Sequence, residues 1–136
     1  MGDKKIVGTY AASLVKDGDV VGLGTGSTTA FAIAELSNRI KNEEISIYGV
    51  PTSFQAKLLA IESNIPLTTL DEHDINIAID GADEVDPKLY LLKGRGGALL
   101  QEKIIDYNAD RFVVVCEEKK FVDTLGKNFP VTVEVF

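Results

Sequence analysis

Three short stretches set residues able to bind anions and move protons beside glycines. The first is "DGADE", residues 80–84, which follows the apolar run "INIAI" and delivers Asp80, Asp83 and Glu84 together. Acids this close repel one another unless cations, hydrogen bonds or a ligand make use of them. Asp80 and Asp83 stand three positions apart, so a turn brings both carboxylates to one side, where they can handle hydroxyl protons. Ordinary turn chemistry also favours Asp and Gly, and taken alone it accounts for the stretch.

The second stretch is "GLGTGSTT", residues 22–29. Gly24 and Gly26 permit a tight turn, and Ser27 and Thr28 place hydroxyls at a helix start, where free N–H groups and the helix dipole favour an anion. It is neither a Walker loop, since no Lys follows the last glycine, nor G-x-G-x-x-G. The third is "KGRGGALLQEK", residues 93–103, with Lys93 and Arg95 among glycines 94, 96 and 97. Such a loop can form a nest of N–H groups. On the helix that follows, Ala98, Leu100, Ile104 and Ile105 define an apolar arc with Glu102 at its edge. Partial burial there raises a carboxylate's pKa and makes it a better base near neutrality.

These loops need elements to hold them. Helix-like stretches at "IVGTYAASLV", "STTAFAIAELSNRIK", "SFQAKLLAIESN" and "GALLQEKIIDYN" alternate with strand-like runs at "DVVGLG", "ISIYGV", "INIAI" and "RFVVVC". "IPLTTL", "LYLLK" and the terminal "VTVEVF" read as further strands. Ser27 or a neighbouring threonine is the expected cap of the second helix and Ser53 of the third. The alternation predicts an α/β fold, a mostly parallel open sheet flanked by helices. Ligands of such sheets bind beyond the carboxyl ends of the strands, where all three loops begin.

With 136 residues, 45% of them hydrophobic, the chain can bury a core as one domain. Its net charge of −7 argues against non-specific nucleic-acid binding. Local lysines and backbone N–H groups would have to hold any anionic substrate. No stretch is long and apolar enough to span a bilayer. The single cysteine, Cys116, forms no internal disulfide, and the chain reads as intracellular. His73, the lone histidine, has no companions for a zinc site.

Together "GLGTGSTT", "DGADEVD", "KGRGGALLQEK" and "KKFVDTLGK", in this order and spacing, resemble the A-type ribose-5-phosphate isomerase family over essentially the whole chain. The resemblance implies a Rossmann-like fold of the isomerase/CoA-transferase type. It also implies interconversion of D-ribose 5-phosphate and D-ribulose 5-phosphate in the pentose phosphate pathway, in the cytoplasm, without metal or organic cofactor. It places the general base on Glu102, with Asp80, Asp83 and Lys93 as further catalytic residues. Substrate contacts fall on Thr25, Gly26, Ser27 and Thr28, on Gly81 and Ala82, on Gly94, Arg95 and Gly96, and on Lys120 and Lys4. Many members carry glycine where this chain has Arg95. The family's chains are also longer. Residues 1–136 are therefore expected to be an N-terminal catalytic α/β domain, truncated before a second α+β subdomain and a returning segment. The expected partner is a small sugar phosphate, with no nucleic acid or membrane, and a homo-oligomer at full length. A sugar-phosphate sensor on a related fold would explain the phosphate cradle but not Lys93, Glu102 and the Asp pair.

Overall fold

The computed structural model describes residues 2–135. Its sheet is built from β1 (Val20–Leu23), β2 (Tyr48–Pro51), β3 (Ile75–Gly81) and β6 (Ala109–Val115). All three pairings are parallel, in the order β2-β1-β3-β6. Strand β1 is buried along its whole length, as its apolar run requires for a strand covered on both faces. The chain moves from β1 outward to β2, then returns to the other side of β1 as β3. Connections leaving β1 and β3 thus diverge, and their carboxyl ends frame a crevice.

Helices α1 (Asp3–Ser13), α2 (Ser27–Asn42) and α3 (Phe54–Glu62) pack into the larger core around Val21, Leu23, Ile77 and Ile79. In α2 the buried positions Thr29, Ala32, Ile33, Leu36 and Ser37 recur at three- and four-residue intervals, the stripe that seats a helix on a sheet. Ser53 caps α3 as expected, its Oγ accepting from the Ala56 N–H at 3.0 Å. Helix α4 (Leu99–Asn108) forms a second core, in which Ile105 meets Val20, Val50 and Ile75. A small antiparallel hairpin, β4 (Glu84–Val85) and β5 (Leu91–Leu92), carries the chain from the acidic turn to Lys93.

Four expectations are corrected. Gly26, not Ser27 or a threonine, is the N-cap of α2, and no side chain caps that end. "IPLTTL" contributes a single bridge, Gly49 to Leu67, because its backbone pairs only at that point. Residues 131–135 of "VTVEVF" form no strand: Val131, Val133 and Val135 are exposed, and none of the described residues pairs with them. The last residue of that run, Phe136, lies outside the described residues. The apolar arc of α4 faces the core only in part, through Ile105. Leu100 and Ile104 are 42% and 45% exposed, whereas Glu102, Ile105 and Asp106 are the buried positions.

How α4 lies so close to the sheet depends on small residues beneath it. A Cβ on Gly22 would meet Ala78 Cβ at 2.8 Å and Ile105 Cγ2 at 2.9 Å. Ala78 Cβ is fixed to the backbone of β3, so relief has to come from Ile105 or from lifting the helix. Gly22→Ala is expected to destabilise the fold by about 1–3 kcal/mol, the usual cost of overpacking, as read by urea denaturation. An unchanged midpoint would mean that α4 is free to lift from the sheet.

Candidate active site

Asp80 ends the buried part of β3 and is itself fully buried. Its Oδ1 accepts from the N–H groups of Thr25 (3.0 Å) and Gly81 (2.7 Å), and its Oδ2 from Lys93 Nζ at 2.9 Å. Lys93 also donates to the Gly81 carbonyl. One carboxylate thus ties the loop after β1 and the loop after β5 to the end of β3. Gly24 makes this approach feasible, because a Cβ there would stand 2.4 Å from Asp80 Oδ1.

The three acids of the opening turn have three different placements. Asp80 lies beneath the crevice. Asp83 lines it, with its Oδ2 accepting from the Arg95 N–H at 3.1 Å. Glu84 turns away and is fully buried, accepting from the N–H groups of Gly126 (2.6 Å), Asn128 (2.6 Å) and Phe129 (3.2 Å). Repulsion among the acids is relieved because each side chain goes to a separate set of donors.

Above Asp80 lies a cavity of about 290 Å³, a size suited to a small ligand. Lys4, Lys93, Arg95, Lys119 and Lys120 outnumber Asp83, Glu102 and Glu117 on its walls, so an acidic chain presents a cationic cavity. Thr25 to Thr28, Gly81, Ala82 and the Gly94–Gly96 loop complete most of its lining. At one end the uncapped N-terminus of α2 opens into this space, where its N–H groups can bind an anion. Lys4 Nζ donates to Ser27 Oγ at 2.7 Å and pairs with Glu117 at 3.4 Å, which also pairs with Lys119 at 2.9 Å. The Thr25 hydroxyl instead points inward, donating to Ser53 Oγ at 2.6 Å.

Glu102 enters the cavity from the first turn of α4. It is 4% exposed, and among the described residues its Oε2 has no hydrogen-bond partner. Burial pushes its pKa up to about 7, Lys93 draws it down, and the charges of Asp80 and Asp83 add to the rise. A carboxyl with that setting exchanges protons readily near neutrality.

Of the residues that the resemblance assigned to the site, all except Asp80 line the cavity. Phe129 and Asp106 were not foreseen. The Phe129 ring lies under two of the cavity's cations, with the Arg95 guanidinium 4.3 Å and Lys120 Nζ 5.2 Å from its centroid. This gives Arg95 a definite place, stacked on a ring that the Glu84 clamp holds. Nothing in the local sequence marks Phe129. Asp106 stands four positions after Glu102, the helical spacing that would have flagged it.

The family model described as ribose 5-phosphate isomerase A (phosphoriboisomerase A) matches residues 48–136. Ribose-5-phosphate isomerase A of Methanocaldococcus jannaschii is 58% identical over 130 residues, covering 95% of this chain and 58% of that protein. The solved structure of ribose 5-phosphate isomerase A from the same organism superposes with a TM-score of 0.92 at 56% identity, over 94% of this chain and 57% of that one. A D-ribose-5-phosphate isomerase solved in complex with phospho-erythronic acid gives 0.91 at 55% identity, over the same shares of the two chains. The chain thus spans somewhat over half the length of the curated relatives it matches.

The clamp on Glu84 gives the site a pH signature. Burial raises this carboxyl's pKa, but the N–H donors of Asn128, Gly126 and Phe129 outweigh it and hold the value below the ordinary 4.5. A carboxyl depressed on folding stabilises the protein above its unfolded pKa and loses that contribution as pH falls through the folded one. Glu84→Gln is expected to melt at lower temperature at neutral pH and to lose less on acidification than the parent. Equal melting temperatures at both pH values would show that the clamp contributes nothing.

Proposed function

Because this chain belongs to the ribose 5-phosphate isomerase A family, we propose that the full-length protein interconverts D-ribose 5-phosphate and D-ribulose 5-phosphate. The observation that carries the reading is Glu102, a buried carboxyl with an unpartnered oxygen on the wall of a cationic cavity. In this scheme the phosphate rests against Ser27, Thr28 and the N-terminus of α2, with Lys4 and Lys120 beside it. The sugar extends toward Lys93 and Glu102.

Isomerisation moves a proton between C2 and C1. Glu102 takes the proton from C2 of the open-chain aldose, and a C1–C2 double bond forms as charge develops on O1. Lys93 and the N–H groups of Gly94 and Gly96 stabilise that oxyanion, as preorganised donors do in a site shielded from water. The hydroxyl proton of O2 passes to O1, and Glu102 returns its proton to C1, leaving the carbonyl at C2. Asp83, which lines the cavity, handles the hydroxyl proton in ring opening, while Asp80 holds Lys93 from below. No step calls on a metal or an organic cofactor. Residues 1–136 serve in this reading as the N-terminal catalytic domain of a longer enzyme, a view supported by the greater length of its relatives. We place that enzyme in the cytoplasm, as a homo-oligomer acting on a free sugar phosphate.

Glu102→Gln keeps size and hydrogen bonding but removes the base. Its kcat is expected to fall roughly 10²-fold or more, the scale for losing a positioned general base, with KM changing far less. Solvent deuterium should cease to enter C1 or C2 of the sugar phosphate. In the parent, kcat/KM should decline as pH drops below about 7, where Glu102 takes up its proton. Exchange at the parental rate in a folded variant would move the base elsewhere.

A further inference from the structure

Asp106 is the least expected group in the molecule. It lies one helical turn beyond Glu102, on the face of α4 turned to the sheet, and is 4% exposed. Neither of its oxygens has a hydrogen-bond partner among the described residues. Its nearest cation, Lys93 Nζ, stands 4.0 Å away, too far for a hydrogen bond, and is already committed to Asp80 and the Gly81 carbonyl. An ionised carboxylate left so dry and so poorly paired is among the costliest things a protein can bury.

The groups facing Asp106 leave one way to relieve this cost. Asp80 faces it from β3, Lys93 from the loop after β5, and Glu102 from its own helix. From β6, the residues in register with Ala78 and Asp80 are Phe112 and Val114, which carry no charge. Two ionised carboxylates cannot bond to each other, because neither has a proton to donate. Once Asp106 is protonated it becomes a donor, and the Asp80 carboxylate is its neighbour across one ammonium, Lys93 Nζ standing 2.9 Å from Asp80 Oδ2 and 4.0 Å from Asp106 Oδ2.

Resting on the isomerase reading, we propose that Asp106 is a positioning residue that works as a neutral acid, donating a hydrogen bond to Asp80 and thereby holding Lys93 in line for the reaction. With Asp106 neutral, Lys93 has a single buried anion beneath it and Glu102 remains free to take and release its proton. With Asp106 ionised, a second carboxylate competes for Lys93 and a further negative charge presses on Glu102. Burial first, then the charge of Asp80, pushes the Asp106 pKa well above the ordinary carboxylate range, in keeping with this arrangement. Linkage gives the direction: the neutral form persists through neutrality and is lost as pH rises.

The test uses the full-length protein and its Asp106→Asn and Asp106→Ala variants. Asparagine supplies a neutral N–H donor to Asp80 and a carbonyl toward Lys93 but has no proton to lose. Asp106→Ala is expected to lower kcat by roughly 10- to 100-fold, the scale for a misplaced catalytic group, with KM little changed. Asp106→Asn should restore most of that loss and abolish the fall in rate expected of the parent as pH rises and Asp106 loses its proton. Carbon-13 NMR of aspartate-labelled protein gives a readout independent of activity. One aspartate carboxyl should stay protonated through neutral pH in the parent, and its signal should be missing from Asp106→Asn, even if the alanine variant does not fold. The proposal is overturned if all aspartates titrate in the acid range, if Asp106→Asn keeps the alkaline fall, or if a folded Asp106→Ala turns over like the parent. A parent protein without isomerase activity would overturn the functional reading and the kinetic role with it, and the titration would still decide whether Asp106 holds a proton.

Discussion

The ion pair between Lys93 and Asp80 is the constraint on which the rest of the structure depends. Asp80 has no contact with solvent, so its charge must be met wholly by the protein. Removing one member of such a pair leaves the other buried and uncompensated, at a cost of about 3–5 kcal/mol. The donors that meet it come from the loop after β1, from the end of β3 itself and from the loop after β5. The buried charge therefore serves as a fixed point against which the walls of the cavity are set. Gly22 and Gly24 are the local concessions to it, one admitting α4 and the other admitting the carboxylate.

Around that point the chain reverses its own charge. The protein is acidic as a whole, yet the cavity walls carry more cations than carboxylates. The reversal is achieved by spending acids elsewhere. Asp80 is neutralised by Lys93 and by backbone N–H groups, and Glu84 is buried against the 126–129 loop. Glu117 sits between Lys4 and Lys119 at the α2 end of the cavity. Phe129, held by the Glu84 clamp, gives Arg95 and Lys120 a common platform. An uncapped helix N-terminus completes the site, and its lack of a side-chain cap leaves its N–H groups for a ligand.

Most of the fold was legible because period and composition agree. The run at 20–23 is apolar and buried along its length, as a parallel strand covered on both faces must be, and "INIAI" and "FVVV" give the strands beside it apolar stretches. The stripe of α2 repeats at helical intervals, and Ser53 is a cap by its chemistry alone. The misreadings arise where tertiary packing, and not period, decides the outcome. Apolar periodicity shows where a buried face is cheapest, and α4 departs from that rule by burying Glu102 and Asp106 while exposing Leu100 and Ile104. The alternating "VTVEV" has the period of a strand, but a strand also needs an edge to pair with, which no local pattern supplies.

The candidate site divides along the same line. By itself the sequence determined which residue types gather at the strand ends: glycines beside hydroxyls, paired acids, a lysine among glycines, and a glutamate on the helix that follows. Those are properties of neighbours in the chain, and they are set by local geometry. Only the tertiary structure decided that Asp80 lies beneath the cavity while Asp83 lines it, that Glu84 turns away to hold a loop some forty residues further on, and that Asp106 joins the buried cluster. Each outcome depends on which donors reach a carboxylate from distant segments and how much water remains beside it. Solvation and long-range pairing arise only when the elements pack.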